Sequence, residues 1–367
     1  MVSKRLISLD VLRGLTISLM IMVNNPGSWS YVYPPLLHAK WHGCTPTDLV
    51  FPFFLFIVGV SMWYSFKKFD GGITKLALYK VLKRFVIIFL LGLFLNGFPN
   101  FDFENLRIYG VLQRIAIAYL FGALLCLFFN YKQLLLFCGI ILVGYWGLLY
   151  FGASTDVYGL ATNVVRKVDL FLLGENHVYN GFGIPFDPEG LLSSIPSVAT
   201  VLIGYFTGRL IEFSIDKIST VKKLLAFGSL GVAFGWIWDF VLPINKALWT
   251  SSYVLYTSGL AMVFLALLLW VIDVKGINKW SKPFIHFGTN PLFIYMFSGV
   301  YISSIIYFVN VPIGGGETLD GYSFLFEKVF APIFGNMNGS LMFAISHIIF
   351  FWLITYILYR RKIFIKI

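Results

Sequence analysis

The residues best suited to chemistry lie in the stretch LLHAKWHGCTPTD, residues 36–48, between two strongly apolar runs. His38 lies here beside aromatic residues and prolines, and a neutral imidazole can accept a proton near neutral pH. His42 follows four residues later, which raises the alternative of a metal site. No HExxH motif or Cys/His set accompanies the pair, so we expect no metal. The residue types in this loop therefore favour proton transfer by His38 over metal binding.

The elements that must hold this stretch are helices in a membrane. The chain has 367 residues, 58% of them hydrophobic and 12% charged, with a mean hydropathy of +0.81. An average soluble domain is about half apolar and about one quarter charged. Apolar runs near the length of about 20 residues that crosses a bilayer recur at ten places: 7–25, 49–66, 81–98, 110–129, 133–151, 190–211, 224–242, 252–272, 284–308 and 340–359. They lack the alternation of transmembrane β-strands, so we predict an all-α polytopic membrane protein of about ten spans, with residues 1–367 as a single domain.

Lys and Arg residues set the predicted orientation because they resist translocation. With the N-terminus inside, the inside segments hold 20 of the 28 such residues and the outside segments hold six, while Arg13 and Arg114 lie within spans. Both termini are therefore predicted to be cytoplasmic, with the 36–48 stretch on the outer face. The net charge of +11 is then mostly a topology signal, so we expect no nucleic-acid partner.

A second large outer loop, residues 152–189, has an acidic bias and ends in Asp187 and Glu189. Acidic groups on this face suit a cationic ligand such as an amino sugar, although exclusion of Lys and Arg from outer loops gives the same bias. Asp187 and Glu189 also suit capping of the helix that follows. Together with Trp41 and Asp48 of the 36–48 stretch, they are the candidate substrate-binding residues.

Longer blocks of the sequence resemble a known family. These are SLDVLRG, MVNNPGSW and HAKWHGCTPTDLVFPFFLFIVGVSM, followed in order by YGVLQRIAIAY, DLFLLGENHVY, FDPEGLLSSIPS, NKALWTSSYV and YRRKIFIKI. They are similar to the blocks of the transmembrane heparan-α-glucosaminide N-acetyltransferases, and the resemblance extends over essentially the whole chain. The lysosomal members carry a large luminal domain before the catalytic bundle, and we expect this chain to be without it. The resemblance therefore implies a minimal bacterial member in the inner membrane.

The resemblance implies acetyl transfer across the bilayer, from cytoplasmic acetyl-CoA to the amine of a glucosamine-type sugar on the outer face. The family's active-site histidine falls on His38 of HAKW and its catalytic asparagine on Asn24 of MVNNPG. The interval between the two is longer here by a few residues around Tyr31 to Pro35. In such a reaction His38 can accept the proton of the attacking amine, and Asn24 can donate to the oxyanion. Without the resemblance, Asn24 fits equally well as a residue that caps a helix end.

The same resemblance implies a site for CoA. The predicted ligands are Arg5, Arg84, Arg114 and Lys366, whose charges suit the phosphates, and Tyr359, whose ring suits the adenine. The alternative is that these cations are ordinary positive-inside charges. No Gly-rich phosphate loop is present, so the donor is expected to thread a pore in the bundle.

Two other functions remain open from the sequence. Ten spans with buried charges and breaks such as Asn290-Pro291 also suit a sugar or cation transporter, although no inverted repeat is evident. A membrane O-acetyltransferase of surface polysaccharide would share the same acyl-transfer logic. The expected partners are acetyl-CoA, an amino sugar and the lipid bilayer, and a homodimer is left open.

Overall fold

The computed structural model describes residues 6–66, 74–153 and 155–365 and consists mainly of long helices, which confirms the predicted fold class. Arg5 and Lys366 lie outside the described residues. The helices are α1 (Ile7–Asn24), α2 (Val50–Phe66), α3 (Lys75–Gly97), α4 (Val111–Phe128), α5 (Tyr131–Phe151), α6 (Val164–Leu173), α7 (Ile195–Glu212), α8 (Lys217–Trp238), α9 (Ser251–Leu268), α10 (Lys282–Thr289), α11 (Pro291–Phe308), α12 (Gly321–Phe324), α13 (Ala331–Phe334) and α14 (Asn336–Arg360).

Within these described ranges, nine helical segments are long and apolar enough to cross a membrane. They correspond to nine of the ten predicted spans. The remaining predicted span, 81–98, lies in α3, whose first half carries Lys75, Lys80, Lys83 and Arg84. With 23 residues, α3 is about 35 Å long, which is enough to cross a hydrocarbon core of about 30 Å. The side of the membrane on which the termini lie stays a prediction.

One predicted span is not a continuous helix. The apolar run 284–308 was expected to form one span, but the chain breaks at Asn290 into α10 and α11. Pro291 causes the break, because proline has no N–H to donate to the preceding turn and disfavours helical geometry in the residue before it. The side chain of Asn290 binds the C-terminal tail. Its Oδ1 accepts from Ile365 N at 2.7 Å, and its Nδ2 donates to Ile363 O at 3.0 Å.

Small residues allow the central helices to approach closely. At Gly59 of α2, a Cβ atom would overlap Val201 O of α7, and at Gly204 of α7 a Cβ would overlap Phe56 O of α2. Membrane helices pack through such small residues because lipid offers little hydrophobic driving force for their association. The sequence did not predict the short antiparallel hairpin of β1 (Asn310–Gly314) and β2 (Glu317–Asp320).

Four connections meet at one end of the bundle, which we call the site end. They are residues 25–49, 98–110, 152–194 and 239–250. Trp41 Nε1 donates to Tyr158 O at 2.9 Å, and Asn245 Nδ2 donates to Trp41 O at 2.9 Å. Ile108 N donates to His177 O at 3.1 Å. Connections far apart in sequence thus form one hydrogen-bonded surface.

Candidate active site

His38 and Asp48 form the most chemically suggestive contact at the site end. Their Nδ1 and Oδ1 atoms are 2.6 Å apart, and the side chains are 46% and 2% exposed, respectively. An ionised carboxylate can only accept a hydrogen bond. Nδ1 therefore carries the ring proton and donates a hydrogen bond to Asp48 Oδ1. The other ring nitrogen, Nε2, is then unprotonated in the neutral ring. This arrangement can abstract a proton from a bound substrate.

The loop around His38 is held by hydrogen bonds to the second carboxylate oxygen of Asp48. Oδ2 accepts from Ala39 N and Thr45 N, both at 3.0 Å, and from Thr45 Oγ1 at 3.1 Å. Pro46 begins the short 3₁₀ turn Pro46–Leu49, and Asp48 and Thr45 cap this turn reciprocally. Both carboxylate oxygens are therefore occupied. The geometry favours a role for Asp48 in orienting His38 rather than the predicted contact with the acceptor.

A cavity of about 420 Å³ opens beside this pair, and we call it the large cavity. Its volume lies within the range of small-molecule sites, about 300–1,000 Å³. Asn24, His38 and Trp41 line it, together with Glu189 and Lys246 from the other connections. The structure thus brings the predicted catalytic histidine and asparagine to one cavity.

Asn24 also lines a second cavity. This small cavity, of about 150 Å³, lies among α1, α3 and α11, and its other polar lining residues include Asn25, Tyr295 and Ser298. The side chain of Asn25 is already committed, because its Nδ2 donates to Ile21 O at 2.8 Å. Asn24, the last residue of α1, is exposed and borders both cavities. It is therefore placed to contact two ligands at once.

The two acidic residues of the 152–189 loop are bound by an arginine. Arg107 contacts Asp187 through Nε at 2.9 Å and Nη2 at 2.7 Å, and it contacts Glu189 Oε2 at 2.6 Å. Burial alone would lower the pKa of Arg107, but the two carboxylates outweigh it and raise that pKa. Burial would likewise raise the pKa of Glu189, but attraction to Arg107 and Arg114 lowers it. Arg107 and Glu189 therefore stay charged near neutral pH.

Asp187 and Glu189 have different access to the large cavity. Asp187 is fully buried and also accepts from Glu189 N at 2.9 Å, and it is not among the residues that line the cavity. Glu189 does line the cavity. The geometry supports a substrate contact for Glu189, whereas Asp187 holds Arg107 in place.

Trp41 forms part of an aromatic wall. Its ring meets Phe182 and Phe186 edge-on, with centroids 5.8 Å and 5.3 Å apart. Tyr179 lines the same cavity beneath Arg107, whose guanidinium carbon is 4.8 Å from the ring centroid. Trp41, Tyr179 and Phe182 together give the cavity an apolar side that can pack against a sugar ring.

Lys246 is the nearest cation to His38. Its Nζ atom is 3.1 Å from His38 Nδ1 and 3.3 Å from Nε2, and it forms an ion pair with Asp48 Oδ1 at 3.7 Å. Burial lowers the pKa of Lys246, while the negative charges of Asp48 and Glu189 act against that shift. The turn that carries Lys246 is joined to the 36–48 stretch, since Gly43 N donates to Ile244 O at 2.7 Å.

The sequence predicts Arg114 as a ligand of CoA, whereas the structure shows its side chain in contact with protein groups. It lies in the first turn of α4, at the site end, and is completely buried. Its guanidinium donates to Ser193 Oγ and to Gly190 O at 3.4 Å, and it lies over the Trp249 ring. Arg114 therefore supports the loop that carries Glu189.

Asp169 of α6 supports the same loop. Its Oδ1 accepts from Leu191 N at 3.0 Å and Leu192 N at 3.3 Å. Its Oδ2 lies against Gly190, where a Cβ atom would overlap it. Burial raises the pKa of Asp169 to about 7, because the charged carboxylate is poorly solvated there.

The remaining predicted CoA ligands are in separate surroundings. Arg84 of α3 lies over the Tyr119 ring of α4, with 4.6 Å between its guanidinium carbon and the ring centroid. Tyr359 of α14 packs against His286 of α10, with ring centroids 4.7 Å apart. The described residues give no direct contact between the two. Their role in CoA binding stays a prediction.

Sequence reasoning missed four residues that line the large cavity: Arg107, Tyr179, Phe182 and Lys246. Arg107 and Lys246 were counted only as charges in outer connections. Lys246 lies in the block NKALWTSSYV, which could have indicated it. Among the described residues, no group of three or more His, Cys, Asp or Glu side chains could hold a metal ion.

Comparison with known proteins identifies a family for this chain. The family model for "Heparan-alpha-glucosaminide N-acetyltransferase, catalytic" matches residues 5–231. Heparan-alpha-glucosaminide N-acetyltransferase from Mus musculus is 27% identical over 427 aligned positions, which cover 100% of this chain and 61% of that protein. The protein of the same name from Homo sapiens is 28% identical, with coverage of 99% and 60%. The chain thus spans about three fifths of the length of these relatives. The resemblance inferred from the sequence blocks is confirmed, and the chain belongs to the family of the heparan-alpha-glucosaminide N-acetyltransferase catalytic domain.

Proposed function

We propose that this chain is a transmembrane acetyltransferase that moves acetyl from cytoplasmic acetyl-CoA to the amine of a glucosamine-type sugar on the outer face of a bacterial inner membrane. The observation that carries the proposal is the position of Asn24. It lines the large cavity together with the His38–Asp48 pair and also lines the small cavity among α1, α3 and α11. Two substrates can therefore meet at one residue.

The large cavity suits the acceptor. Attack on a thioester requires a neutral amine, and His38 Nε2 is the unprotonated nitrogen that can take the amine proton as the new bond forms. Asp48 stabilises the imidazolium that results. The aromatic wall of Trp41, Tyr179 and Phe182 packs against the sugar ring, while Glu189 accepts from its hydroxyl groups.

The small cavity suits the acyl end of the donor. Tyr295, Ser298 and Asn25 give it a polar lining within an apolar bundle, which matches the amides of a pantetheine arm. Asn24 donates to the carbonyl oxygen as it gains charge, a role worth about 3–4 kcal/mol in other enzymes. The N–C bond forms, the C–S bond breaks, and the amine proton passes through His38 to the departing thiolate.

We favour direct transfer over an acetyl-histidine intermediate. Extended CoA is long enough for its arm to cross much of a bundle of about 30 Å, so no carrier is required. An acetyl-imidazole on the half-exposed His38 ring would also be open to hydrolysis. The deciding measurement is incubation with labelled acetyl-CoA in the absence of sugar. Stoichiometric label on His38 that is chased onto glucosamine at a competent rate would overturn direct transfer.

The function is tested with purified protein, acetyl-CoA and glucosamine, following release of free thiol. We expect thiol release that depends on sugar and is abolished in His38→Ala. The matched control is His177→Ala, because His177 also lies at the site end, binds Leu106 O and does not line the large cavity.

Product analysis separates the alternatives to this function. An N-acetylated sugar supports the proposal, an ester product indicates an O-acetyltransferase, and uptake of unmodified sugar without thiol release indicates a transporter.

A further inference from the structure

A lysine lies against the ring of the proposed base. Lys246 Nζ is within 3.3 Å of both ring nitrogens of His38, although 208 positions separate the two residues in sequence. The Asp48 carboxylate contacts Nδ1 at 2.6 Å, and its Oδ1 atom is 3.7 Å from Lys246 Nζ. The imidazole thus contacts one negative and one positive group.

The turn that presents Lys246 is firmly held. The Asn245 side chain accepts from Leu248 N at 2.8 Å and donates to Trp41 O at 2.9 Å. Asn245 N donates to Thr250 Oγ1 at 3.0 Å. The position of Lys246 beside His38 therefore follows from contacts that its own side chain does not make.

The two flanking charges act in opposite directions on the imidazole. A carboxylate in contact with the ring stabilises the protonated form, which would leave the base already occupied before an amine arrives. An ammonium group at hydrogen-bond distance destabilises that form through repulsion between like charges. Without the lysine, the resting ring would hold its proton to higher pH.

We infer that Lys246 is a positioning residue that opposes protonation of His38 and so keeps the imidazole available as a base at neutral and mildly acidic pH. The inference rests on the proposed acetyl transfer for its functional consequence. The effect on the ring itself depends only on the contacts described above.

Other charges in the cavity are more distant from the ring or already paired. The charged and titratable groups that line the cavity with His38 are Lys40, Asp48, Arg107, Tyr179, Glu189 and Lys246. Arg107 and Glu189 form an ion pair with each other, and Lys246 and Asp48 are the charged residues that contact the His38 ring. Substitution of Lys246 is therefore the cleanest test.

The experiment measures the protonation of His38 without requiring turnover. Diethyl pyrocarbonate reacts with histidine only when the imidazole is neutral, and mass spectrometry gives the rate at His38 itself as a function of pH. Compared with the parent, Lys246→Met and Lys246→Gln should move the midpoint upward by about one to three pH units. Lys246→Arg keeps the charge and should retain the parent midpoint. The control Lys167→Met removes an exposed lysine of α6 and should change nothing.

Thiol release across the same pH range provides the second readout. The acid limb of Lys246→Met should move in parallel, with activity recovering at high pH. An unchanged modification midpoint in both neutral variants would overturn the inference whatever their rates. An upward shift of the midpoint in Lys246→Arg equal to that in Lys246→Met would also overturn the inference, because the shape of the side chain rather than its charge would then matter. Absence of thiol release by the parent would overturn the proposed function, while the modification midpoints would still decide the role of Lys246.

Discussion

Replacement of Asp48 by asparagine tests whether the carboxylate fixes the protonation state of His38. The substitution keeps the size of the side chain but leaves one acceptor oxygen in place of two. In the parent, Oδ1 accepts from His38 Nδ1, and Oδ2 accepts from Ala39 N, Thr45 N and Thr45 Oγ1. The asparagine must therefore choose which set of donors to satisfy.

The loop donors should win this choice. Turning the amide nitrogen toward Ala39 N and Thr45 N would leave two backbone N–H groups unpaired, at about 1–3 kcal/mol each. In the favoured orientation, the amide oxygen accepts from Ala39 N and Thr45 N, and the amide nitrogen points at His38 Nδ1. That ring nitrogen must then accept a hydrogen bond. The ring proton moves to Nε2, and the nitrogen that faces the acceptor can no longer act as a base. With about 2–6 kcal/mol favouring this tautomer, kcat should fall by about 30-fold to 10⁴-fold. The comparable change in a serine protease costs about 10⁴-fold.

The assay is thiol release at saturating acetyl-CoA and glucosamine, with acetyl-CoA affinity measured separately by calorimetry. We expect the affinity to be unchanged, because Asp48 lies at the site end, whereas the predicted phosphate ligand Arg84 lies in the half of α3 that is remote from that end. Asp102→Asn, which changes an exposed residue of the same type, is the matched control and should behave as the parent. A rate for Asp48→Asn within tenfold of the parent, alongside an inactive His38→Ala, would refute the reasoning from the tautomer.

Other perturbations probe the proposed role of Asn24, the proposed donor site, the predicted topology and the pH dependence of stability. Asn24→Ala should lower kcat about a hundredfold through loss of the oxyanion donor, and an unchanged kcat would remove Asn24 from the mechanism. Arg84→Ala should weaken acetyl-CoA binding measured by calorimetry while leaving the KM for glucosamine intact; parent-like binding would identify Arg84 as a topology charge. In a cysteine-free background, an impermeant thiol reagent applied from outside should label a cysteine placed at Lys40 but not one placed at Lys75, and the opposite pattern would reverse the orientation. Burial raises the pKa of Asp169 from 3.8 to about 7, so the folded protein binds this proton more tightly than the unfolded chain does. The free energy of unfolding should therefore fall as pH rises from about 4 to about 7. Asp169→Asn should remove that fall in thermal unfolding measured in detergent, and a parent-like pH profile in the variant would contradict it.

The helices were predictable because the bilayer imposes a length and a composition on each span. The runs that became α1, α4 and α5 differ from their predicted bounds by at most two residues. The break at Asn290 was harder to place, because the apolar run 284–308 is continuous in composition and only the Asn-Pro pair signals its interruption. Hydropathy measures transfer into lipid and carries no term for backbone geometry.

The candidate site was predictable only where one local segment carries it. Asn24 is the last residue of α1, and His38 follows it by 14 positions in the next connection. The sequence around them therefore indicates both residues together. The partners of that loop come from distant connections. The Arg107–Asp187 pair spans 80 positions and the Lys246–His38 contact spans 208. A single sequence holds no record of such pairings, which arise from how the helices pack.

Burial caused the other errors. Arg114 was read as a cation at a helix end, where water or phosphate would solvate it, yet the structure encloses it completely. It contacts Ser193 and the Trp249 ring instead. The sequence predicts that Asp187 contacts the acceptor or caps a helix, and it does not show that Arg107 uses both of the Asp187 oxygens. Sequence gives the charge of each residue but not the partner that neutralises it.

These pairings change how the cavity would select its acceptor. The acidic bias of the outer loops suggested attraction of a sugar ammonium group, but Asp48 and Glu189 are each matched by a cation, Lys246 and Arg107. A cavity in which the carboxylates are already paired offers little net attraction to an ammonium group, and Lys246 beside His38 repels one. It accepts a neutral amine without that penalty, and only the neutral amine can attack a thioester. If the proposed function holds, this charge pattern favours the reactive form of the acceptor in the cavity that His38 and Asn24 line.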